Sequence, residues 1–287
     1  VRNDTATITI GVENNVINFY YYKNVKLTAN SKTETFDNTE KSVSGFTGAP
    51  ADADFTAITV GAKGTSAGEY PAKFPENTVG TVDKTKKYIV VEANPGALVI
   101  TAHEGEVVVI IRGHNDMKVY DGKKYIVTGY EVEISNPRYT ENDFAFNGTA
   151  EAKRTRSGRT EMGLKPENFT NTNQSFTNVI FVVEDGYIDI TKRPLYLVGE
   201  TDTKPYTGSS ISLEQFTPEN LADGDAVQSI SYLATGIMPN EYPGEFEGTL
   251  KIVNGNDVDV TNCYEVTLKP GNLTITKATE PVAVKIV

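Results

Sequence analysis

Apolar and polar residues alternate along most of this chain. Thr7-Ile8-Thr9-Ile10, Tyr125-Ile126-Val127-Thr128 and Leu273-Thr274-Ile275-Thr276 each send every second side chain to one face, the period of a half-buried strand. Thr, Val, Ile and Tyr are frequent, as pleated surfaces favour. Helical signals are confined to Pro166-Glu167-Asn168-Phe169 and Pro218-Glu219-Asn220-Leu221, where Pro at a first helical position predicts a single turn. The longest apolar runs, Val107 to Ile111 and Val179 to Val183, fall far short of the roughly 18–20 residues of a membrane span. The pattern predicts an all-β chain with about seven short strands per structural unit.

The pattern also repeats. Lys118-Val119-Tyr120-Asp121-Gly122 and Lys204-Pro205-Tyr206-Thr207-Gly208 are matched by a looser Glu34-Thr35-Phe36-Asp37-Asn38, so the aromatic recurs after 84 and then 86 residues. Closing strands follow: Gly96 with Leu98, Ile100 and Thr101; Gly186 with Ile188, Ile190 and Thr191; Gly271 with Leu273, Ile275 and Thr276. Gly64 leads to Glu69-Tyr70-Pro71 and Phe74, and Gly236 to Glu241-Tyr242-Pro243 and Phe246, where the middle copy has Arg159-Thr160-Glu161 and Leu164. An acidic residue, Asp54, Asp143 or Asp225, precedes each central strand. A period of this size marks domains rather than solenoid turns.

The boundaries follow from these landmarks. Residues 25–104, 105–192 and 193–287 form three β-sandwich repeats. Residues 1–24 read as the last hairpin of a truncated upstream domain, with strand-like runs at Thr5–Val12 and Val16–Tyr22. Thr101 to Glu106 and Thr191 to Pro194 are short joins without flexible Gly/Ser linkers. Compact units joined so tightly predict an elongated, semi-rigid rod of roughly 100 Å or more. Each repeat, near 85 residues, is just large enough to close a core.

Composition narrows the partners. Lys and Arg number 27 against 38 Asp and Glu, a net charge of −11, which argues against nucleic acid because phosphate binding needs clustered cations. The single cysteine, Cys263, has no partner for an internal disulfide. Val1 is not a start methionine, and neither a signal segment nor a wall-sorting pattern is present, so the chain reads as an internal piece of a longer protein. No cofactor motif appears, and a monomer is expected.

Candidate chemistry is sparse. His103 and His114 lack neighbouring metal-ligand spacing and read as linker histidines, and Cys263 reads as a small buried hydrophobe. Paired carboxylates such as Asp223 with Asp225 or Asp257 with Asp259 do not recur in all copies, and neither a nucleophile elbow nor a phosphate-cradling loop is present, so no catalytic role is expected. Asn254-Gly255-Asn256-Asp257-Val258-Asp259 offers hard oxygens suited to calcium, but a polar hairpin turn explains it equally. Lys26 and Lys118, with Asn178, Asn262 and Asn272, supply the residue types of a Lys–Asn isopeptide crosslink, although no triad recurs. The clearest departure among copies is Lys153-Arg154-Thr155-Arg156-Ser157-Gly158-Arg159, against Lys63-Gly64-Thr65-Ser66-Ala67-Gly68-Glu69 in the first. Lys153, Arg154, Arg156 and Arg159 form a candidate patch for an anionic ligand, with Arg154 and Arg156 on one face if extended. The alternative is a hairpin charged against aggregation.

Taken together, Lys118-Val119-Tyr120-Asp121-Gly122, Val127-Thr128-Gly129-Tyr130, Phe144 to Ala150, Gly163-Leu164, Asn168 to Asn171 and Asp185 to Thr191 resemble the MBG, or YDG-type, Ig-like repeats of wall-anchored Gram-positive surface proteins. Asn15 to Tyr22 resembles the closing strand of a mucin-binding-type repeat. The resemblance implies a non-catalytic, extracellular stalk of an adhesin-like protein that carries or contributes to adhesion to host glycan, mucin or matrix protein. Direct recognition by the second repeat is the alternative. Phe36-Asp37-Asn38 and Tyr206-Thr207-Gly208 depart from Tyr-Asp-Gly, so Asp121 is not a shared ligand.

Overall fold

A computed structural model describes residues 21–278. The two upstream strand-like runs therefore lie almost wholly outside the described residues. Repeat 1 is built from β1 (Lys23–Ala29), β2 (Lys32–Thr35), β3 (Lys41–Ser44), β4 (Phe46–Thr47), β5 (Gly61–Gly64), β6 (Gly68–Ala72), β7 (Tyr88–Asn94) and β8 (Gly96–Thr101). Repeat 2 contains β9 (Val107–Gly113), β10 (Asn115–Val119), β11 (Tyr125–Thr128), β12 (Tyr130–Ile134), β13 (Phe144–Phe146), β14 (Glu151–Arg154), β15 (Gly158–Glu161), β16 (Phe169–Asn171), β17 (Val179–Glu184) and β18 (Tyr187–Thr191). Repeat 3 contains β19 (Arg193–Gly199), β20 (Asp202–Pro205), β21 (Ile211–Leu213), β22 (Phe216–Glu219), β23 (Ala226–Gly236), β24 (Asn240–Pro243), β25 (Glu245–Val253), β26 (Tyr264–Lys269) and β27 (Asn272–Thr276).

All three follow one plan. One sheet is ordered β4-β1-β7, β12-β9-β17 or β22-β19-β26, and the other β2-β8-β6, β10-β18-β15 or β20-β27-β24. The second strand of each repeat runs parallel to the last, as in Lys32↔Leu98, Asn115↔Tyr187 and Asp202↔Leu273. These are tandem Ig-like β-sandwiches. The first and last long strands of each repeat both bend from one sheet into the other, so each counts twice. That is why the repeats hold eight to ten strands rather than about seven.

The bend explains the recurring glycine. A Cβ on Gly96, Gly186 or Gly271 would lie 2.4, 2.4 or 2.0 Å from the carbonyl oxygen of Asn30, His114 or Glu200, at the bend of the first strand. Any side chain there would collide with backbone, which cannot swing away. The two bends cross in contact, and only glycine allows it.

Alternation sets the cores. In repeat 1, Val25 and Leu27 of β1 meet Tyr88 and Val90 of β7 and Phe55. In repeat 3, Leu213, Tyr232, Ala234, Leu273 and Ile275 form one cluster. Single 3-10 turns occur at Glu141–Asp143, Pro166–Asn168 and Thr261–Cys263, and the described residues contain no α-helix. The turn at Pro166 is as expected. Pro218, by contrast, lies inside β22 opposite Leu197. That strand sits at a sheet edge, where the missing N–H leaves no central ladder position empty. No helix among the described residues is long and apolar enough to cross a membrane.

By packing, the chain forms two compact units. The first holds the described residues up to Val107 with Pro137–Tyr139 and Asn171–Val179, and the second Val108–Asn136, Thr140–Thr170 and the described residues from Ile180 onward. Two loops of repeat 2 thus pack with repeat 1, while repeats 2 and 3 share the second unit.

Candidate functional site at the repeat junctions

The recurring aromatic begins in the same backbone position each time. The N–H groups of Phe36, Tyr120 and Tyr206 donate to the carbonyls of Thr101, Thr191 and Thr276, at the end of their own repeat's last strand. Asn38, Gly122 and Gly208 then take the left-handed conformation that turns the chain back. The ring is thereby projected from the pole of its repeat.

What the ring meets belongs to the next repeat. In the first unit, Phe36 packs edge-on against Phe176 with centroids 5.4 Å apart, and Phe176 is flanked by Tyr139 and His103. In the second unit, Tyr120 packs edge-on against Tyr264 at 5.4 Å. Its hydroxyl donates to Asp225 Oδ2 at 3.0 Å, and the Tyr264 hydroxyl donates to the same oxygen at 2.6 Å. Burial first, and the Asp225 bond second, push both phenols far above their ordinary range, so both remain donors at neutral pH. Arg193 adds a bond to the Tyr120 carbonyl at 3.4 Å. One core cluster consequently runs from Ile188 and Ile190 through Tyr120 to Leu195, Leu197, Cys263 and Tyr264.

A hairpin tip makes a second contact at each junction. Gly68, Gly158 and Asn240 pair with Ile100, Ile190 and Ile275, which places Ala67, Ser157 and Pro239 at equivalent positions. The Ala67 N–H donates to Ser175 Oγ at 2.9 Å. Ser157 donates its N–H to Cys263 Sγ at 3.5 Å and its hydroxyl to the Asn262 carbonyl at 3.0 Å. Ring and tip together form a two-point clasp.

The same tips explain the basic segment. In repeats 1 and 3 a tyrosine closes the tip: Tyr70 and Tyr242 donate to the carbonyls of Ser66 and Met238, each at 2.9 Å, and their rings lie where a Cβ on Gly64 or Gly236 would be. Repeat 2 has Thr160 in place of the tyrosine and Arg154 in place of the glycine. The Arg154 guanidinium fills the space and donates to the carbonyls of Arg156, Ser157 and Arg159 and to the Thr160 hydroxyl. Arg159 stacks 3.4 Å over the Tyr187 ring, and Lys153 pairs with Glu151 at 2.7 Å. The four cations do not converge. Arg156 alone faces a cleft of about 310 Å³ beside Tyr120, where Asp121, Lys123, Asp223, Asp225 and Asn256 also line the walls.

No protein-family model matches this chain. No curated protein matches it either. Among solved structures, the comparison returns the crystal structure of the I9-I11 tandem from titin, at 11% identity over 88% of this chain and 98% of that one, with a TM-score of 0.16. So loose a superposition adds nothing to the fold, which rests on the strand pairing.

The remaining candidates resolve into structural uses. Asn254 Oδ1 accepts from the N–H groups of Asn256 and Val258, and Asp257 takes a left-handed conformation, so the oxygen-rich segment is a closed hairpin turn. No group of three His, Cys, Asp or Glu among the described residues is placed to hold a metal. His114 Nδ1 lies 2.7 Å from the Thr128 carbonyl, and Cys263 is buried. Lys26 and Lys118 form exposed pairs with Glu92 and Asp116, outside the buried setting a crosslink requires. The acidic landmark serves three ends: Asp54 caps Thr56, Asp143 caps Thr140, and Asp225 joins two tyrosines.

Proposed function

We propose that this chain is a non-catalytic repeat region of a bacterial cell-surface, adhesin-like protein, acting as a spacer that displays other domains outside the cell. The observation that carries the reading is the clasp: the residues that recur from copy to copy hold one repeat to the next. The resemblance of Lys118 to Gly122 and its companions to YDG-type repeats supplies the cell-wall setting.

Direct recognition of host glycan, mucin or matrix protein by repeat 2 is the competing reading, and Arg154 weighs against it because most of its donors are engaged within the hairpin. The test is a screen of the full chain against mucin and a glycan panel, with Arg156→Ala alongside. The spacer reading predicts no binding above an unrelated acidic protein. Saturable binding that Arg156→Ala removes would overturn it.

A further inference from the structure

Repeat 3 carries both halves of a clasp with nothing described in their grip. Phe36 and Tyr120 are 5% and 2% exposed, whereas Tyr206, with the same backbone anchor, is only half-buried. The tip above it has also changed character. Thr65-Ser66 and Thr155-Arg156 are replaced by Ile237-Met238, which are 51% and 61% exposed. Pro239, lacking an N–H, stands where Ala67 and Ser157 donate, so this tip is built for apolar contact. Two adjacent large apolar side chains exposed at a hairpin tip are costly to hydrate.

We propose that Tyr206, Ile237 and Met238 form the docking surface for a further repeat of this kind. The sequence supports that occupant. Val284-Lys285-Ile286 repeats Val25-Lys26-Leu27 of β1, and Val284 follows Thr276 by eight residues, as Val109 of β9 follows Thr101. The receiving pole has a known form. Tyr264 at the start of β26 pairs with Arg193 and bonds Asp225. Tyr88 at the start of β7 pairs with Lys23 and bonds Asp52 Oδ1 at 2.7 Å. A pole like that of repeat 1 thus offers the ring and carboxylate that Tyr120 meets in repeat 3. The inference concerns a joint and stands whether or not the chain is a surface spacer.

The test extends the full chain beyond Val287 with residues 29–101, which continue from the position Val287 shares with Thr28 and contain no methionine. Met238 oxidation by dilute peroxide is followed by peptide mass, with Met117, also 61% exposed, as internal reference. Docking predicts that Met238 oxidises at least about tenfold more slowly relative to Met117 in the extended chain than in the original. Tyr206→Ser in the extended chain restores the faster rate. Met238 keeping pace with Met117 in both chains would overturn the proposal. So would an extension that protease digests while repeats 1–3 survive.

Discussion

Tyr120 shows how one side chain joins two cores. Its ring is buried, its hydroxyl shares Asp225 with Tyr264, and its carbonyl is held by Arg193. Truncation to Ala removes ring and bond together, and Tyr120→Ala is expected to destabilise the second unit by roughly 3–5 kcal/mol in denaturant unfolding. Tyr120→Phe keeps the ring and loses only the bond, leaving Tyr264 on the carboxylate, so a loss of roughly 1–2 kcal/mol is expected. Equal losses in the two variants would show that packing contributes little. Asp83 in repeat 1 makes a different residue-scale prediction. Burial alone would raise its pKa, but the Thr85 hydroxyl and the N–H groups of Tyr88, Lys87 and Asp54 all donate to it, and the net effect is a carboxyl held well below its ordinary value. A group whose folded pKa is depressed stabilises above its unfolded value, about 3.9, and loses that stabilisation as pH falls toward the folded one. The acid-side fall in the unfolding midpoint of repeat 1 should therefore flatten in Asp83→Asn. An unchanged slope would show that Asp83 contributes nothing to the acid-side loss of stability.

At the scale of elements, the hairpin tip has two interchangeable closures. Gly64 with Tyr70 and Gly236 with Tyr242 place a phenol over the tip, whereas Arg154 with Thr160 places a guanidinium there. Thr160→Tyr alone should clash with Arg154, and Arg154→Gly alone should leave the tip carbonyls without their donor. Each single change is expected to cost roughly 1–3 kcal/mol, and the double variant to recover most of it, a coupling that thermal unfolding would reveal. Additive losses would refute the exchange. The bend glycines behave oppositely: Gly186→Ala has no compensating partner, since its Cβ meets the His114 carbonyl, and should destabilise repeat 2 by about 1–3 kcal/mol or more. Strand content was legible in the sequence because alternation is local, as in β11 and β27. The repeat plan was legible because the copies punctuate alike. Pro218 misled because a first-turn Pro and an edge-strand Pro look the same without a neighbour to set the edge. The basic run from Lys153 to Arg159 also looked like a site until the covariation of positions 154 and 160 acquired a shared space. Recurrence of Phe36, Tyr120 and Tyr206 was visible from the start, but their partners, 140 or more positions away for Phe36 with Phe176 and Tyr120 with Tyr264, were not.

At the scale of the whole molecule, chemistry-bearing groups are dispersed while junction groups recur. A net charge of −11 keeps the surface soluble and poorly suited to polyanions. Lys–carboxylate pairs such as Lys26–Glu92 and Lys63–Glu40 lie exposed on single repeats and contribute little each. Stability above the level of one sandwich instead depends on the clasp, because the core cluster of the second unit passes from repeat 2 to repeat 3 through Tyr120. Domains joined only by a short linker open independently, whereas domains sharing a core open together. Native-state hydrogen exchange on the full chain and on Tyr120→Ala tests this most directly. In the wild-type chain β18, β19 and β26 are expected to exchange through one common opening, and Tyr120→Ala is expected to separate β18 from the other two. Separate openings in the wild-type chain, or a Tyr120→Ala effect confined to repeat 2, would contradict it.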